Sequence, residues 1–402
     1  MTIADRLSAV AESPTQRVGA NAERMRRAGI DVIDLGAGEP DFNTPEHVKA
    51  AAIAAIGENF TRYTAASGII ELRQAVCDRY GTDYGVELKP TDVSMTAGGK
   101  QALFNVALAL YNPGDEVITH APHWPTIVEQ IRITGATPVV VRTRAADGFA
   151  VQAQSIVDRI TPRTKAIIIN SPANPTGALI SEAALAEIAD AAGRRGIWVV
   201  IDLCYEQLIF DEEAHNLPRV LLDRMRDRAV LCGSASKAYA MTGWRCGWTI
   251  GPPEVVGACN TILSHATSNI SSITQKAAVA ALSGPQDDVT RMLNEYRVRR
   301  DQMHAWLTAN PAITCVKPRG AFYLFPDISG LLSPGGVATS SQFADVLLER
   351  AHVAVTPGEA FDAPGHIRIS YATSMEILRE GANRLLAFAD SLQGATKSAL
   401  VL

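Results

Sequence analysis

Lys237 lies in the run Gly233-Ser234-Ala235-Ser236-Lys237-Ala238-Tyr239-Ala240-Met241-Thr242-Gly243-Trp244-Arg245-Cys246-Gly247, among small and hydroxylated residues and eight positions before a fixed cation. A lysine amine attacks an aldehyde only when desolvation or neighbouring cations lower its pKa, and covalent capture of a carbonyl cofactor is the usual purpose of such a group. Arg245 offers a planar fork for a phosphate, Ser234 and Ser236 offer short hydroxyl donors, and Gly243 and Gly247 permit close backbone approach. A lone lysine near a turn is ordinarily a solvated surface residue. Here its surroundings argue for chemistry.

Two further segments supply what that chemistry needs. Asn170-Ser171-Pro172-Ala173-Asn174-Pro175-Thr176-Gly177 follows the apolar run Ala166-Ile167-Ile168-Ile169. It reads as a loop at the C-terminal end of a buried strand, the edge at which open parallel sheets bind ligands. A second run, Ile197-Trp198-Val199-Val200-Ile201, ends in Asp202-Leu203-Cys204-Tyr205. A carboxylate there can pair with the protonated pyridine nitrogen of pyridoxal phosphate and keep the ring an electron sink. Tyr205 and Asn174 would then hydrogen-bond the ring's phenolic oxygen. Taken singly, Asn-Pro-Thr-Gly is a turn and an Asp after a strand is a helix cap; three strand-end signals in this order point to one site.

With these residues in hand, the chain resembles the fold-type I, class I and II aminotransferases, which are pyridoxal 5'-phosphate enzymes, and the likeness runs nearly end to end. It is carried by Gly38-Glu39-Pro40-Asp41-Phe42, Tyr63-Thr64 with Gly68 and Glu71-Leu72-Arg73, Gly98-Gly99-Lys100-Gln101-Ala102, and Asn112-Pro113-Gly114-Asp115-Glu116. Pro122-His123-Trp124, Asn174-Pro175-Thr176-Gly177, the Lys237 segment and His366-Ile367-Arg368-Ile369-Ser370-Tyr371-Ala372 complete it. Within the family it looks most like the prokaryotic aspartate aminotransferase subgroup, some members of which accept prephenate.

The resemblance implies roles residue by residue. Lys237 would hold the cofactor as a Schiff base, Asp202 would face the pyridine nitrogen, Tyr205 and Asn174 would tune the phenolic oxygen, and Trp124 would stack on the ring. Ser234, Arg245, the amides of Gly99 and Lys100 at a helix N-terminus, and Tyr63 from a partner subunit would bind the phosphate. Arg368, with the Gly38 backbone close by, would take the substrate's α-carboxylate. Lys100 and Thr15 match positions that read a second carboxylate. Three departures stand out: Leu203 where the family has an acid, His123 where a tyrosine commonly precedes the tryptophan, and Ser13-Pro14-Thr15, which keeps only part of the usual pattern. His123 reads first as a packing variant and second as an altered substrate pocket.

A chain of 402 residues exceeds the size at which one core stops growing, so two domains are expected. Runs at 93–96, 116–119, 138–141, 165–170, 198–202, 229–232 and 248–250 read as strands separated by helical patterns. They predict an α/β large domain over 46–283, with a mostly parallel sheet flanked by helices. A helix from about Gln275 breaks at Ser283-Gly284-Pro285 and leads into a helical stretch over 289–307. Short strands at 314–316, 321–325, 353–355 and 367–370, with helices near 341–351 and 375–392, predict a smaller α+β domain formed by 284–402 with the N-terminal arm 1–45. The tail after Gln393 reads as loose.

Net charge of −5 with mixed signs gives no basic field for nucleic acid. Six scattered cysteines without Cys-x-x-Cys read as reduced core thiols, and eight histidines show no metal-ligand spacing. No apolar leader opens the chain and no membrane span is expected, which predicts a cytoplasmic protein. The resulting expectation is a homodimeric aminotransferase working in two half-reactions on amino acid and 2-oxo acid substrates, without metal. L-aspartate with 2-oxoglutarate is favoured because Lys100 offers a cation for a second carboxylate; an aromatic amino acid or prephenate is the nearest alternative. The same scaffold also supports lyases, which pyruvate and ammonia release would reveal. An amine-sensing transcription factor is disfavoured because no DNA-binding extension is visible.

Overall fold

The computed structural model describes residues 4–12, 14–210, 215–334 and 336–399. Strand β1 (Ile33–Asp34) leads into the seven strands of the main sheet: β2 (Val93–Thr96), β3 (Glu116–Ala121), β4 (Thr137–Arg142), β5 (Thr164–Asn170), β6 (Trp198–Asp202), β7 (Ala229–Ser234) and β8 (Gly247–Ile250). Their order is β2-β8-β7-β6-β5-β3-β4. Every residue of β2, β3, β6, β7 and β8 is buried, as expected of strands covered by helices on both faces. Hence the apolar runs show no alternation.

Strand direction decides where the chemistry gathers. β3 to β7 run parallel, so the segments after β3, β5, β6 and β7 emerge at one edge. β8 runs against both β7 and β2, so β2 again points toward that edge and β8 begins there. The ends of β2, β3, β5, β6 and β7 thus deliver the Gly98-Gly99-Lys100 turn, Trp124, Asn174, Asp202 and Lys237 respectively, and the start of β8 delivers Arg245.

Beyond the main sheet stand β9 (Tyr323–Leu324), β10 (Val353–Ala354), β11 (Thr356–Pro357) and β12 (Ile367–Ser370). β11-β12-β9 form an antiparallel sheet with Arg368 in its middle strand, and β10 pairs with β1 from the arm. The largest apolar cluster packs under the main sheet, including Leu72, Met95, Ile169 and Leu231. A second gathers Leu35, Tyr296, Phe322, Phe343 and Leu385 around the small sheet. The helices Ser272–Ser283 and Asp287–Thr308 meet at Gly284, as the break predicts.

Two sequence expectations fail here. The stretch 314–316 forms no strand: Thr314 makes one isolated bridge, to Asp327, because the chain turns away after a single pairing. Residues 394–399 are helical rather than irregular: the last helix, Met375–Ala399, runs on through Gly394, because one glycine costs only about 1 kcal/mol.

Candidate active site

A cavity of about 560 Å³ opens at the strand-end edge. Its wall brings together eleven residues expected from sequence: Gly38, Gly99, Lys100, Trp124, Asn174, Asp202, Tyr205, Ser234, Lys237, Arg245 and Arg368. Tyr63 does not line it; that ring is 90% exposed on the surface of its own chain. The side chain of Thr15 lies outside the described residues, as does Ser13.

Lys237 belongs to a short helical turn, Ala235–Ala238, that follows β7 and is capped by Ser234, whose Oγ accepts from the Ser236 N–H at 3.1 Å. Its Nζ donates to the Gly38 carbonyl at 2.5 Å, which ties the arm to the strand end. Burial holds the ammonium below its ordinary pKa; Arg368 and Arg245 push the same way, against Cys204 and Glu39. Asp202 is buried at the end of β6. Burial pushes its carboxyl up to about 6, although the Cys204 N–H at 3.1 Å and Lys237 both favour the anion. A buried carboxyl held that far up lacks a full cationic partner. A protonated ring nitrogen would supply one.

Asn174 and Arg368 are joined across the cavity. Arg368 donates from Nη1 to Asn174 Oδ1 at 3.0 Å and from Nη2 to the Gly36 carbonyl at 2.7 Å. It lies 4.4 Å from the Tyr323 ring centroid, and its Nε is buried without a partner. Among the described residues no carboxylate pairs with it. A desolvated guanidinium with donor capacity to spare is a carboxylate receptor in waiting. Gly38 is needed beside it, since a Cβ there would stand 2.9 Å from Tyr323 Oη.

The helix Gly99–Leu110 starts at the same edge with Gly98 as N-cap and no side-chain cap. Arg245 is held over this start by Nη2 to the Ala97 carbonyl at 3.0 Å and Nη1 to Thr242 at 2.7 Å. A Cβ on Gly98 would meet the Arg245 guanidinium at 2.4 Å, and one on Gly247 would meet the Gly98 backbone at 2.5 Å. Uncapped helix N–H groups, a fixed guanidinium and the Ser234 hydroxyl form an anion cradle sized for a phosphate. Cradle, lysine and buried carboxylate in one cavity fit pyridoxal phosphate.

Lys100 projects beside Trp124, with Nζ 5.0 Å from the ring centroid. Partial burial, and Arg245 nearby, hold its pKa below the ordinary value, and no ion pair to it occurs among the described residues. His123 does not line this cavity: it is buried on the wall of a neighbouring one, with its backbone N–H donating to the Phe361 carbonyl at 3.2 Å and its Nδ1 without a partner. Leu203, in the family's acid position, is buried in the main core.

Several cavity residues were not singled out from sequence. Tyr323 donates or accepts at 2.7 Å with Tyr205 Oη and supports Arg368. Asn170 accepts from the Asn174 N–H at 2.8 Å, and Glu39 accepts from Thr242 Oγ1 at 3.0 Å. Cys204, expected among core thiols, instead lines the cavity, with burial pushing its thiol up to about 12. Tyr323 had no separate signal, because a tyrosine inside an apolar strand looks like core. Among the described residues no cluster of His, Cys, Asp and Glu is arranged to hold a metal, and no helix is long and apolar enough to cross a membrane.

Comparison with known proteins agrees with this geometry. The family model for aminotransferase class I and II matches residues 30–385. An aspartate/prephenate aminotransferase of Cereibacter sphaeroides is 43% identical over 97% of this chain and 99% of its own. An aspartate aminotransferase of Geobacillus stearothermophilus is 38% identical over 97% of this chain and all of its own. Among solved structures, the Rhizobium meliloti aspartate aminotransferase superposes with a TM-score of 0.92 at 40% identity, covering 97% of this chain and 99% of that one. The Thermus thermophilus aspartate aminotransferase with maleate gives 0.91 at 39% identity, with the same coverage.

Proposed function

The chain belongs to the class I and II aminotransferases, and from that premise we propose that it transfers the amino group of L-aspartate to 2-oxoglutarate in two half-reactions, using pyridoxal phosphate. The observation that carries the substrate assignment is a pair of cations. Arg368 and Lys100 line one cavity, the first bonded only to neutral oxygens and the second set beside the Trp124 ring, with no acidic partner for either among the described residues. One suits the α-carboxylate and the other a distal carboxylate. Maleate, in the Thermus thermophilus structure, is a dicarboxylate. Prephenate, in the name of the Cereibacter sphaeroides relative, also carries two carboxylates, so the same cations favour it as a second acceptor.

When bound, the cofactor supplies an aldehyde that captures amines and a ring that accepts an electron pair from the substrate α-carbon. The protein's share is positioning and proton transfer. Arg368 fixes the α-carboxylate by its fork, with Asn174 holding the guanidinium plane. Lys237, its basicity lowered by burial, would take the proton from the substrate α-carbon and deliver it to the carbon that carried the cofactor's aldehyde. Asp202 keeps a proton on the ring nitrogen, and Tyr205, steadied by Tyr323, donates to the phenolic oxygen. Trp124 covers the ring face. Ser234, Arg245 and the amides at Gly99 and Lys100 anchor the phosphate.

A homodimer in the cytoplasm is the proposed working form. Ile53, Ile56, Tyr63, Ile70 and Leu108 are large, apolar and exposed, which a second copy would cover, bringing Tyr63 to the neighbouring phosphate cradle. We assign 46–283 to the cofactor domain and 284–402 with 1–45 to the smaller one. Lys237 then comes from one and Arg368 from the other, so binding a carboxylate between them draws the cleft shut and excludes water.

Lys100→Met tests the substrate assignment. Losing a charge-assisted contact to a desolvated carboxylate costs about 2–4 kcal/mol, so kcat/KM on aspartate is expected to fall by roughly 30- to 1,000-fold. Activity on alanine should be spared. Equal losses on both substrates would remove the case for dicarboxylate specificity.

A further inference from the structure

One acid beside the site has no part in the chemistry proposed above. Glu206 follows Tyr205 and closes the 203–206 turn through its N–H to the Leu203 carbonyl at 2.9 Å. Its carboxylate accepts from Tyr80 Oη at 3.0 Å on each oxygen and from Tyr84 Oη at 3.0 Å. Tyr80 in turn accepts from Trp248 Nε1 at 3.1 Å. Trp248 packs so closely on β7 that a Cβ on Gly233 would lie 2.1 Å from its Nε1. Gly233 immediately precedes Ser234. The chain of contacts therefore begins at the turn carrying Asp202 and Tyr205, passes through the helix Ile70–Tyr84, and ends at the strand that presents the phosphate cradle and Lys237.

We propose that Glu206 is a positioning residue for the cofactor site: its carboxyl pins the 203–206 turn to the helix Ile70–Tyr84 and, through Tyr80 and Trp248, sets that turn against the end of β7. This rests on Asp202, Tyr205 and Ser234 contacting the cofactor. A purely apolar turn would pack with less directional constraint, whereas two tyrosine hydroxyls and a carboxylate fix both distance and orientation. The Leu203 side chain on the other side of the turn is buried in the core and offers no polar group, while its N–H donates to the Cys232 carbonyl of β7 at 2.9 Å, a backbone bond that fixes the start of the turn and leaves its far end to Glu206.

The charges around Glu206 explain why its proton is a usable probe. Asp83 and Asp202 face it with the same sign, and no cation pairs with it among the described residues, since Arg79 is engaged by Asp83. Gln207 is bonded to Asp83, and the other titratable groups that face Glu206 are Tyr80, Tyr84, Tyr239 and the Cys204 thiol. Burial pushes the carboxyl up to about 8. The folded protein then keeps a proton that the unfolded chain releases from its ordinary value of 4.5 upward. Its stabilisation is complete below 4.5 and is lost as pH rises through 8. Asp202 behaves alike but finishes near 6, and the buried His120 and His123, held below their ordinary 6.5, act in the opposite sense up to that value, so Glu206 is the carboxyl whose loss extends on toward pH 8.

The test uses the full chain stripped of cofactor and titrated with pyridoxal phosphate, together with the melting temperature across pH 6–8. Glu206→Leu leaves two buried hydroxyls without an acceptor and is expected to raise the dissociation constant about tenfold or more. Glu206→Gln keeps an acceptor for Tyr80 and should restore affinity to within about threefold of the parent, while its melting temperature no longer declines across pH 6–8 as the parent's does. A Leu variant that melts earlier but binds the cofactor like the parent would reduce Glu206 to a fold residue and overturn the proposal. If the Leu variant does not fold, a Gln variant that keeps the parent's decline overturns it instead. Failure to trap the cofactor on Lys237 of the parent by borohydride would count against the site reading itself, a separate outcome.

Discussion

Replacing Lys237 by alanine is expected to abolish turnover, by at least about 10⁴-fold, the upper end of what one positioned acid–base group contributes. The loss should reach that limit because one amine serves both as cofactor attachment and as the base at the α-carbon. The structure gives the amine one strong anchor, the Gly38 carbonyl, and a setting that lowers its pKa by burial beside Arg368 and Arg245. Burial and the two guanidiniums favour a neutral nucleophile over a solvated ammonium, while the carbonyl anchor fixes where the amine points. The phosphate cradle is untouched by the substitution, so the variant should still retain pyridoxal phosphate without a covalent bond. Borohydride reduction of the parent, followed by peptide mapping, should place the pyridoxyl group on Lys237 alone. Recovery of that group on Lys100, or a variant with parent-like turnover, would sink the assignment.

What the sequence made visible, and what it hid, divides by physics. Strands buried on both faces leave long apolar runs, and chemistry at their ends leaves an abrupt change to polar or small residues; Asn174, Asp202 and Lys237 each stand at such a change. Arg368 sits inside an apolar strand, so only the resemblance drew attention to it. Tyr323 and Glu206 left no pattern of their own. A tyrosine in an apolar strand has the composition of core, and a glutamate after a turn has the composition of surface; only the fold brings Tyr80 and Tyr84 to Glu206. Failed elements have equally local causes. Residues 314–316 have β-prone composition but only one pairing, and the single glycine at 394 is too weak a breaker to end a helix that runs on to Ala399.

The helix start and the strand ends must be read together to understand why glycines cluster here. Gly98 and Gly247 are the two positions where a side chain would enter the Arg245 guanidinium or the helix backbone. Their absence of Cβ lets one cation and the first helix N–H groups converge, which separate sequence motifs only hint at. Alanine at Gly247 would force the strand and the helix start apart and weaken cofactor affinity before it weakened the core.

Asp202→Asn is expected to separate stability from catalysis. In the cofactor-free protein burial holds this carboxyl up at about 6 against an ordinary 3.8. The folded state keeps a proton that the unfolded chain loses between those values, so the group's stabilisation is full below 3.8 and is lost as pH rises through 6. At 1.36 kcal/mol per pKa unit the loss approaches about 3 kcal/mol at neutral pH. An isosteric amide does not titrate and should make the cofactor-free protein more stable at pH 8, though not at pH 3.5. With cofactor bound the order reverses in function. Without a carboxylate, the ring nitrogen loses the group that holds its proton, and removing one preorganised electrostatic partner costs about 10²- to 10³-fold. Single-turnover rates of α-proton loss, followed by deuterium exchange from [2-²H]aspartate, should fall by that factor, while pyridoxal phosphate affinity falls far less. Equal proton-loss rates in variant and parent would refute the electronic role of Asp202, and a cofactor-free variant no more stable than the parent at pH 8 would refute the buried, poorly compensated carboxyl from which that role is inferred.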